Sequence, residues 1–177
     1  SGGSGISAEF RDFREENVYF MMTDRFCDGD KSNNNIWGDE YLPGGESQMY
    51  DYDESKTGVL SYYHGGDFAG IIKNLDYIKE MGFTAIWITP VVKQPEGRYY
   101  YNETDSYEAS AFHGYWGYDF DQIDPHLHSS GKDSDGWDDF KELANELHKN
   151  DMKLMLDIVV NHGTPGSPSA PTKWIKD

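Results

Sequence analysis

Cysteine is almost missing from this sequence, with Cys27 the single thiol among 177 residues. An internal disulfide is therefore excluded, and the fold needs some other brace if it works in an oxidising compartment. Positive charge is scarce too: 15 Lys and Arg stand against 32 Asp and Glu, for a net charge of −17 at pH 7. So acidic a surface repels phosphate backbones and anionic lipid headgroups, which argues against nucleic acid or a membrane surface as partner. A neutral ligand or a cation suits it better. No apolar run approaches the ~20 residues that cross a bilayer, and no basic start followed by an apolar stretch marks a secretion signal. Ser1-Gly2-Gly3-Ser4-Gly5 reads as linker, so residues 1–16 are set apart as linker and N-terminal extension.

What is present is enough to build a core, with 37% hydrophobic and 15% aromatic residues. Val18-Tyr19-Phe20-Met21-Met22 is a β-branched and aromatic run that stops at Thr23-Asp24-Arg25, as a buried strand does at a loop. From Phe26 to Gly66 the chain is rich in Asn, Asp, Gly and Tyr without any period, which predicts a long loop. Asp67 is placed to cap a helix whose apolar face carries Phe68, Ile71, Ile72, Leu75 and Ile78, and Gly82 is placed to end it. Residues 84–90 form a nearly continuous apolar run, the pattern of a strand buried on both faces of a parallel sheet. After a second long aromatic and polar stretch, from Val91 to Ser134, Trp137, Phe140, Leu143, Ala144 and Leu147 mark another helix. Residues 153–162 then predict a third buried strand, on which Asp157, Val159 and Asn161 share a face and His162 sits at the C-terminal end. Strand, helix, strand, helix, strand is the order of βα units, although three strands alone leave an unpaired sheet edge.

Three segments carry candidate chemistry, and each has a plain alternative. Polar residues in Asp157-Ile158-Val159-Val160-Asn161-His162 could simply satisfy neighbouring backbone. The segment from Phe112 to Phe120, rich in Tyr and Trp, could be packing; with Tyr99, Tyr100, Tyr101 and Tyr107 it also offers flat faces suited to the C–H faces of sugar rings. Asp28, Asp30, Asn33 and Asn34 are hard oxygen donors that suit Ca²⁺, or else a solvated turn. An EF-hand is excluded, because the sixth position from Asp28 is Asn33 rather than Gly and no helices flank the loop.

Met22-Thr23-Asp24-Arg25-Phe26, Gly65-Gly66-Asp67-Phe68, residues 82–90, residues 113–120 and residues 157–162 occur in the order found in α-amylases. The sequence resembles glycoside hydrolase family thirteen, in the branch of secreted α-amylases and cyclodextrin glucanotransferases. The resemblance implies the N-terminal part of a (β/α)8 barrel over residues 17–163, with three strands and two helices. Residues 164–177 would begin the insertion that follows the third strand. It also implies that Tyr115 stacks on the glucose before the scissile bond, that His113, Trp116 and His162 contact sugar there, and that Asp157 is a structural carboxylate at the site. For Ca²⁺ it implies Asp28, Asp30, Asn33, Asn34, Gly65 and Asp67, with Asn161 matching a second calcium position.

The catalytic carboxylates of that family, an Asp, a Glu and a further Asp after the fourth, fifth and seventh strands, have no counterpart in these residues. The resemblance thus implies part of a retaining enzyme for the α-1,4 bonds of starch or maltooligosaccharides, inactive alone and completed by the remainder of the barrel. Extracellular or cell-surface action follows from the polymeric substrate. The other reading is a non-catalytic starch- or calcium-binding fragment that needs a partner.

Overall fold

A computed structural model describes residues 11–34, 36–37, 61–97, 99–100 and 108–164. The proposed linker, most of the first long loop, Tyr101, Tyr107 and nearly all of residues 164–177 lie outside them. At the centre are β1 (Val18–Met21), β2 (Ala85–Ile88) and, last in the chain, β7 (Lys153–Leu156), in one parallel sheet of order β1-β2-β7. Their register is unbroken: Val18, Ala85 and Lys153 are level, as are Met21, Ile88 and Leu156.

The helices cover one face of this sheet. Met21, Ile86 and Ile88 point into the core, joined by the partly buried Tyr19, Leu154 and Leu156. From the other side come Phe68 and Ile71 of α1 (Phe68–Lys73), Leu75 and Ile78 of α2 (Leu75–Glu80), and Leu143 and Leu147 of α3 (Trp137–Lys149). Among the described residues the opposite face is open at Phe20 and Trp87. Phe20 is 52% exposed and Trp87 38%, and their rings meet edge to face at 4.9 Å. The expectation of a strand buried on both faces is corrected on this point, because the described helices pack only on the Ile86 and Ile88 side.

Three further differences have local causes. One continuous helix was expected after Asp67, but Asn74 divides it, its Nδ2 donating to the Gly70 carbonyl at 2.8 Å. Asn competes with the helix for its own backbone in this way. The stretch from Val91 to Ser134 holds two antiparallel pairs, β3 (Val92–Lys93) with β6 (Asp119–Ile123) and β4 (Tyr99–Tyr100) with β5 (Glu108–Ala109). Three of these four strands are two residues long, too short to show a period. The third strand ends at Leu156 rather than His162. Asp157 still donates its N–H to Ile88, but Ile158 and Val160 are 66% and 72% exposed.

The caps follow expectation. Asp67 Oδ1 accepts from Gly70 N at 2.6 Å, and Gly82 takes the left-handed φ of +89° that ends α2.

Burial on one side only makes the two sheet faces unequal in energy. Ile88→Ala is expected to cost about 2–5 kcal/mol in denaturant unfolding, whereas Phe20→Thr on the open face costs under about 1 kcal/mol. Equal losses would show that both faces are packed.

Candidate active site

Parallel strands put their C-terminal ends on one edge, and the sequence places polar residues there: Thr23, Asp24 and Arg25 after β1, Thr89 after β2 and Asp157 after β7. Residues 112–118 fold over that edge. Gly114 allows the approach, since it has a φ of +85° and a Cβ there would strike the Pro90 carbonyl.

Tyr115 is fixed at three atoms. Its hydroxyl donates to Asp157 Oδ2 at 2.6 Å, its N–H donates to His113 Nδ1 at 3.0 Å, and its carbonyl accepts from His162 Nε2 at 2.9 Å. The carboxylate hydrogen bond, together with burial, raises the Tyr115 hydroxyl to about 12. Because a carbonyl can only accept, His162 carries its proton on Nε2, and Nδ1 then accepts from Asn161 Nδ2 at 2.9 Å. Both His162 nitrogens are thereby engaged, so a sugar contact from that ring would require one of these bonds to be exchanged. His113 accepts a backbone N–H on Nδ1, which leaves its proton on Nε2. Burial first, and the nearby Arg25 charge second, lower its pKa to about 4. His113 is neutral near pH 7.

The structure thus brings together His113, Tyr115, Asp157 and His162, residues separated by up to 49 positions in sequence. Trp116 joins them, its ring edge-on to His113 at 4.8 Å. Residues given no role in the sequence reading hold this group from behind. Trp116 N–H donates to Gln94 Oε1 at 2.8 Å. Gln94 N–H in turn donates to Asp124 Oδ2 at 2.9 Å, and Asp124 Oδ1 accepts from both His126 N and His126 Nδ1. The Arg25 guanidinium lies 3.9 Å from the Phe112 ring centroid, with its Nε 3.1 Å from Asp24. The Thr-Asp-Arg motif drew attention to Asp24 and Arg25. No sequence signal marks Gln94.

The acidic loop after β1 forms a second group. Asp67 accepts from Gly29 N, Asp30 N, Asn33 Nδ2 and Gly70 N at 2.6–3.0 Å, which fills the four acceptor positions of a carboxylate. It anchors the loop through these bonds, and the metal-ligand role that the resemblance implies for it would exchange one of these donors for the ion. Burial nevertheless pushes its carboxyl upward against the pull of those donors. Asp30 caps the turn at Ser32, Gly65 N–H donates to Asp24, and the exposed Asn161 is tied to His162. That leaves Asp28, whose Oδ2 accepts from Asn34 Nδ2 at 2.9 Å; in the same turn Asn33 Oδ1 and Asn34 Oδ1 are buried without a partner. Orphaned hard oxygens of this kind fit Ca²⁺. Among the described residues no three His, Cys, Asp or Glu side chains group as a metal site, so amide oxygens would have to carry much of the coordination.

Asp24 sets the pH dependence at this edge. Burial raises its carboxyl to about 7, outweighing the His64 and Gly65 N–H donors and Arg25. A folded pKa above the unfolded ~3.8 means that its contribution to stability is complete below that value and is lost as pH rises towards 7. Buried His113 and His128 titrate below their ordinary value and act oppositely, destabilising the fold as pH falls below ~6.5. Relative to the parent chain, Asp24→Asn should therefore gain a few kcal/mol of stability between pH 4 and pH 7.5, read by denaturant melts at each pH. A pH-independent difference would refute the assignment.

The family profile described as "Alpha amylase, catalytic domain" matches residues 20–168. The chain is 41% identical over 155 residues to a cyclomaltodextrin glucanotransferase of Klebsiella oxytoca, covering 86% of this chain and 20% of that one. It is 40% identical over 165 residues to α-amylase 2 of Schwanniomyces occidentalis, covering 92% and 25% respectively. Among solved structures, an Anoxybacillus α-amylase superposes with a TM-score of 0.61 at 39% identity, over 89% of this chain and 26% of that one. A three-domain cyclomaltodextrin glucanotransferase, CldA, gives 0.64 at 34% identity, over 89% and 28%. This chain therefore spans only 20–28% of the length of these four relatives. With the profile covering most of its length and the aromatic loop set over the C-terminal strand edge, the chain belongs to the α-amylase family of glycoside hydrolases.

Proposed function

We propose that this chain supplies the sugar-binding edge of a retaining α-glucan-active enzyme, and that the carboxylates which break the glycosidic bond lie outside its 177 residues. The observation that carries this reading is the threefold fixing of Tyr115. With its hydroxyl held by Asp157 and its main chain by His113 and His162, the side chain has little rotational freedom left, which supports a role for its ring face as a fixed platform for a ligand. A pyranose presents flat C–H patches that suit such a face. His113, neutral and carrying its proton on Nε2, can donate a hydrogen bond to a glucose hydroxyl without bringing charge into the site.

Asp157 acts through Tyr115, accepting a hydrogen bond from its hydroxyl that holds the phenol in place and raises its pKa further above the physiological range. The remaining strands of a (β/α)8 barrel would cover the open Phe20 and Trp87 face and would supply the nucleophile and the acid/base carboxyl. The glucosyl-enzyme bond would be made and broken there, so the isolated chain binds without turning over. Action on starch outside the cell follows from the same substrate class. Relatives that include a cyclomaltodextrin glucanotransferase and an α-amylase support an α-glucan as ligand.

Calorimetric titration with maltoheptaose tests the binding claim. The parent chain should bind, and Tyr115→Ala should weaken binding at least about tenfold, in line with the loss of one stacked aromatic face. Reducing sugar should not be released from soluble starch by the pure chain. Release would place catalysis within these residues, and equal affinity for Tyr115→Ala would remove the stacking role.

For Ca²⁺ we propose Asp28, Asn33 and Asn34 as direct ligands, with Asp67 and Asp30 holding the loop in shape. The ion would brace the turn after β1, a task left open by the lack of a disulfide. A chelator should lower the melting temperature by several degrees, and Asp28→Ala should abolish the difference. Unchanged melting, with no metal by elemental analysis, would contradict the site.

A further inference from the structure

We propose that Gln94 is the positioning residue of the sugar-binding loop, an inference that rests on the glucan reading given above. The loop's main chain is tied to its scaffold at several points. Gly114 N–H donates to the Ala111 carbonyl, Tyr118 N–H to Lys93 and Thr164 N–H to Gly117, all backbone to backbone. Between Gly114 and Tyr118 two N–H groups end on side chains instead: Tyr115 on His113, inside the loop itself, and Trp116 on Gln94 Oε1, which lies outside the loop and so ties it to the scaffold.

The sheet register explains how Gln94 comes to stand there. Val92 pairs with Ile123 but Lys93 with Asp119, a shift between adjacent residues of β3 that breaks the regular alternation. Such irregularities re-aim the next side chain. Gln94 is only 1% exposed, and its N–H and both ends of its carboxamide are hydrogen-bonded. Its Nε2 donates to the Val92 carbonyl at 2.7 Å, its own N–H to Asp124 Oδ2 at 2.9 Å, and its Oε1 accepts from Trp116. Asp124 is itself held by the Tyr63 hydroxyl and both His126 contacts. A buried carboxamide with both ends bonded cannot rotate without leaving a polar group unpaired.

The consequence is geometric. Tyr115 and Trp116 are adjacent, so fixing the Trp116 amide sets the peptide plane that follows Tyr115, the same plane whose carbonyl accepts from His162. Gln94 thus fixes one side of this peptide unit and His162 the other, while His113 and Asp157 hold the remaining atoms of Tyr115. No atom of Gln94 needs to touch glucan for the residue to govern how the Tyr115 face is presented.

Gln94→Met, of similar length but without an acceptor, separates this role from ordinary packing. Measured by NMR, the Trp116 amide should exchange about tenfold faster in the variant while the Thr89 amide, bonded to Met21 in the central sheet, keeps its rate. Maltoheptaose affinity should fall about tenfold. Leu143→Ala, in the core of α3, serves as a control that destabilises the fold generally; it should change neither the ratio of the two exchange rates nor the affinity. Unchanged Trp116 exchange in Gln94→Met, unchanged affinity, or the same two changes in Leu143→Ala would each overturn the proposal. If the parent chain itself fails to bind maltoheptaose, the glucan reading falls, and the exchange comparison alone then decides whether Gln94 positions the loop.

Discussion

The in-register pairing of β1, β2 and β7 is the constraint on which the site depends. Because Met21, Ile88 and Leu156 are level, the residues that follow each strand emerge on one edge, and Asp157 reaches the hydroxyl of Tyr115 from 42 positions away. A slip of one residue in any strand would exchange its buried and open faces. Ile86 and Ile88 would then turn from the helices to the side where Phe20 and Trp87 now stand, and Asp157 would move away from the aromatic loop. The hydrophobic pattern that buries one face therefore also aligns the polar chemistry at its end.

Two buried carboxylates extend that order into the loops. Asp67 caps α1 and gathers the turn that contains Gly29, Asp30 and Asn33. The backbones come so close that a Cβ at Gly29 would strike Gly70, and one at Gly70 would strike the Cys27 carbonyl. Asp124 does the same on the other side, joining Tyr63, His126 and Gln94 beneath the aromatic loop. A strongly acidic chain thus commits part of its charge to internal anchors, each saturated with donors, while the rest keeps the surface solvated. The oxygens of Asn33 and Asn34, by contrast, are buried and lack donors, which is what a cation would correct.

Some of this was legible in the sequence and some was not, for reasons that differ by residue. The central strands showed as apolar runs, α3 through its regular Leu143 and Leu147 spacing, and the helix ends through Asp67 and Gly82. The aromatic loop and Asp157 were visible as residue types, yet only folding shows that they meet. Asn74 hid its break because a single polar residue hardly disturbs a helical period. The last strand looked too long because Ile158, Val159 and Val160 are strand-like in type although they lie beyond the sheet's hydrogen bonds. Gln94 carried no signal, since its importance comes from a register shift between two short strands and from a backbone partner 22 positions on. Trp87 on the open face looks no different in sequence from Ile86 and Ile88 on the buried one, because apolar composition reports that a face wants cover, not which element provides it.

The central claim is that this edge binds α-glucan through the Tyr115 face, with Asp157, His113 and His162 holding that face in place. NMR of the labelled chain titrated with maltoheptaose tests it most directly. The account predicts saturable shifts, together with sugar-to-ring contacts, at Tyr115 and His113, while resonances of α3 on the far side of the sheet stay fixed. Saturable shifts centred on the open Phe20 and Trp87 face, or none at Tyr115, would contradict it.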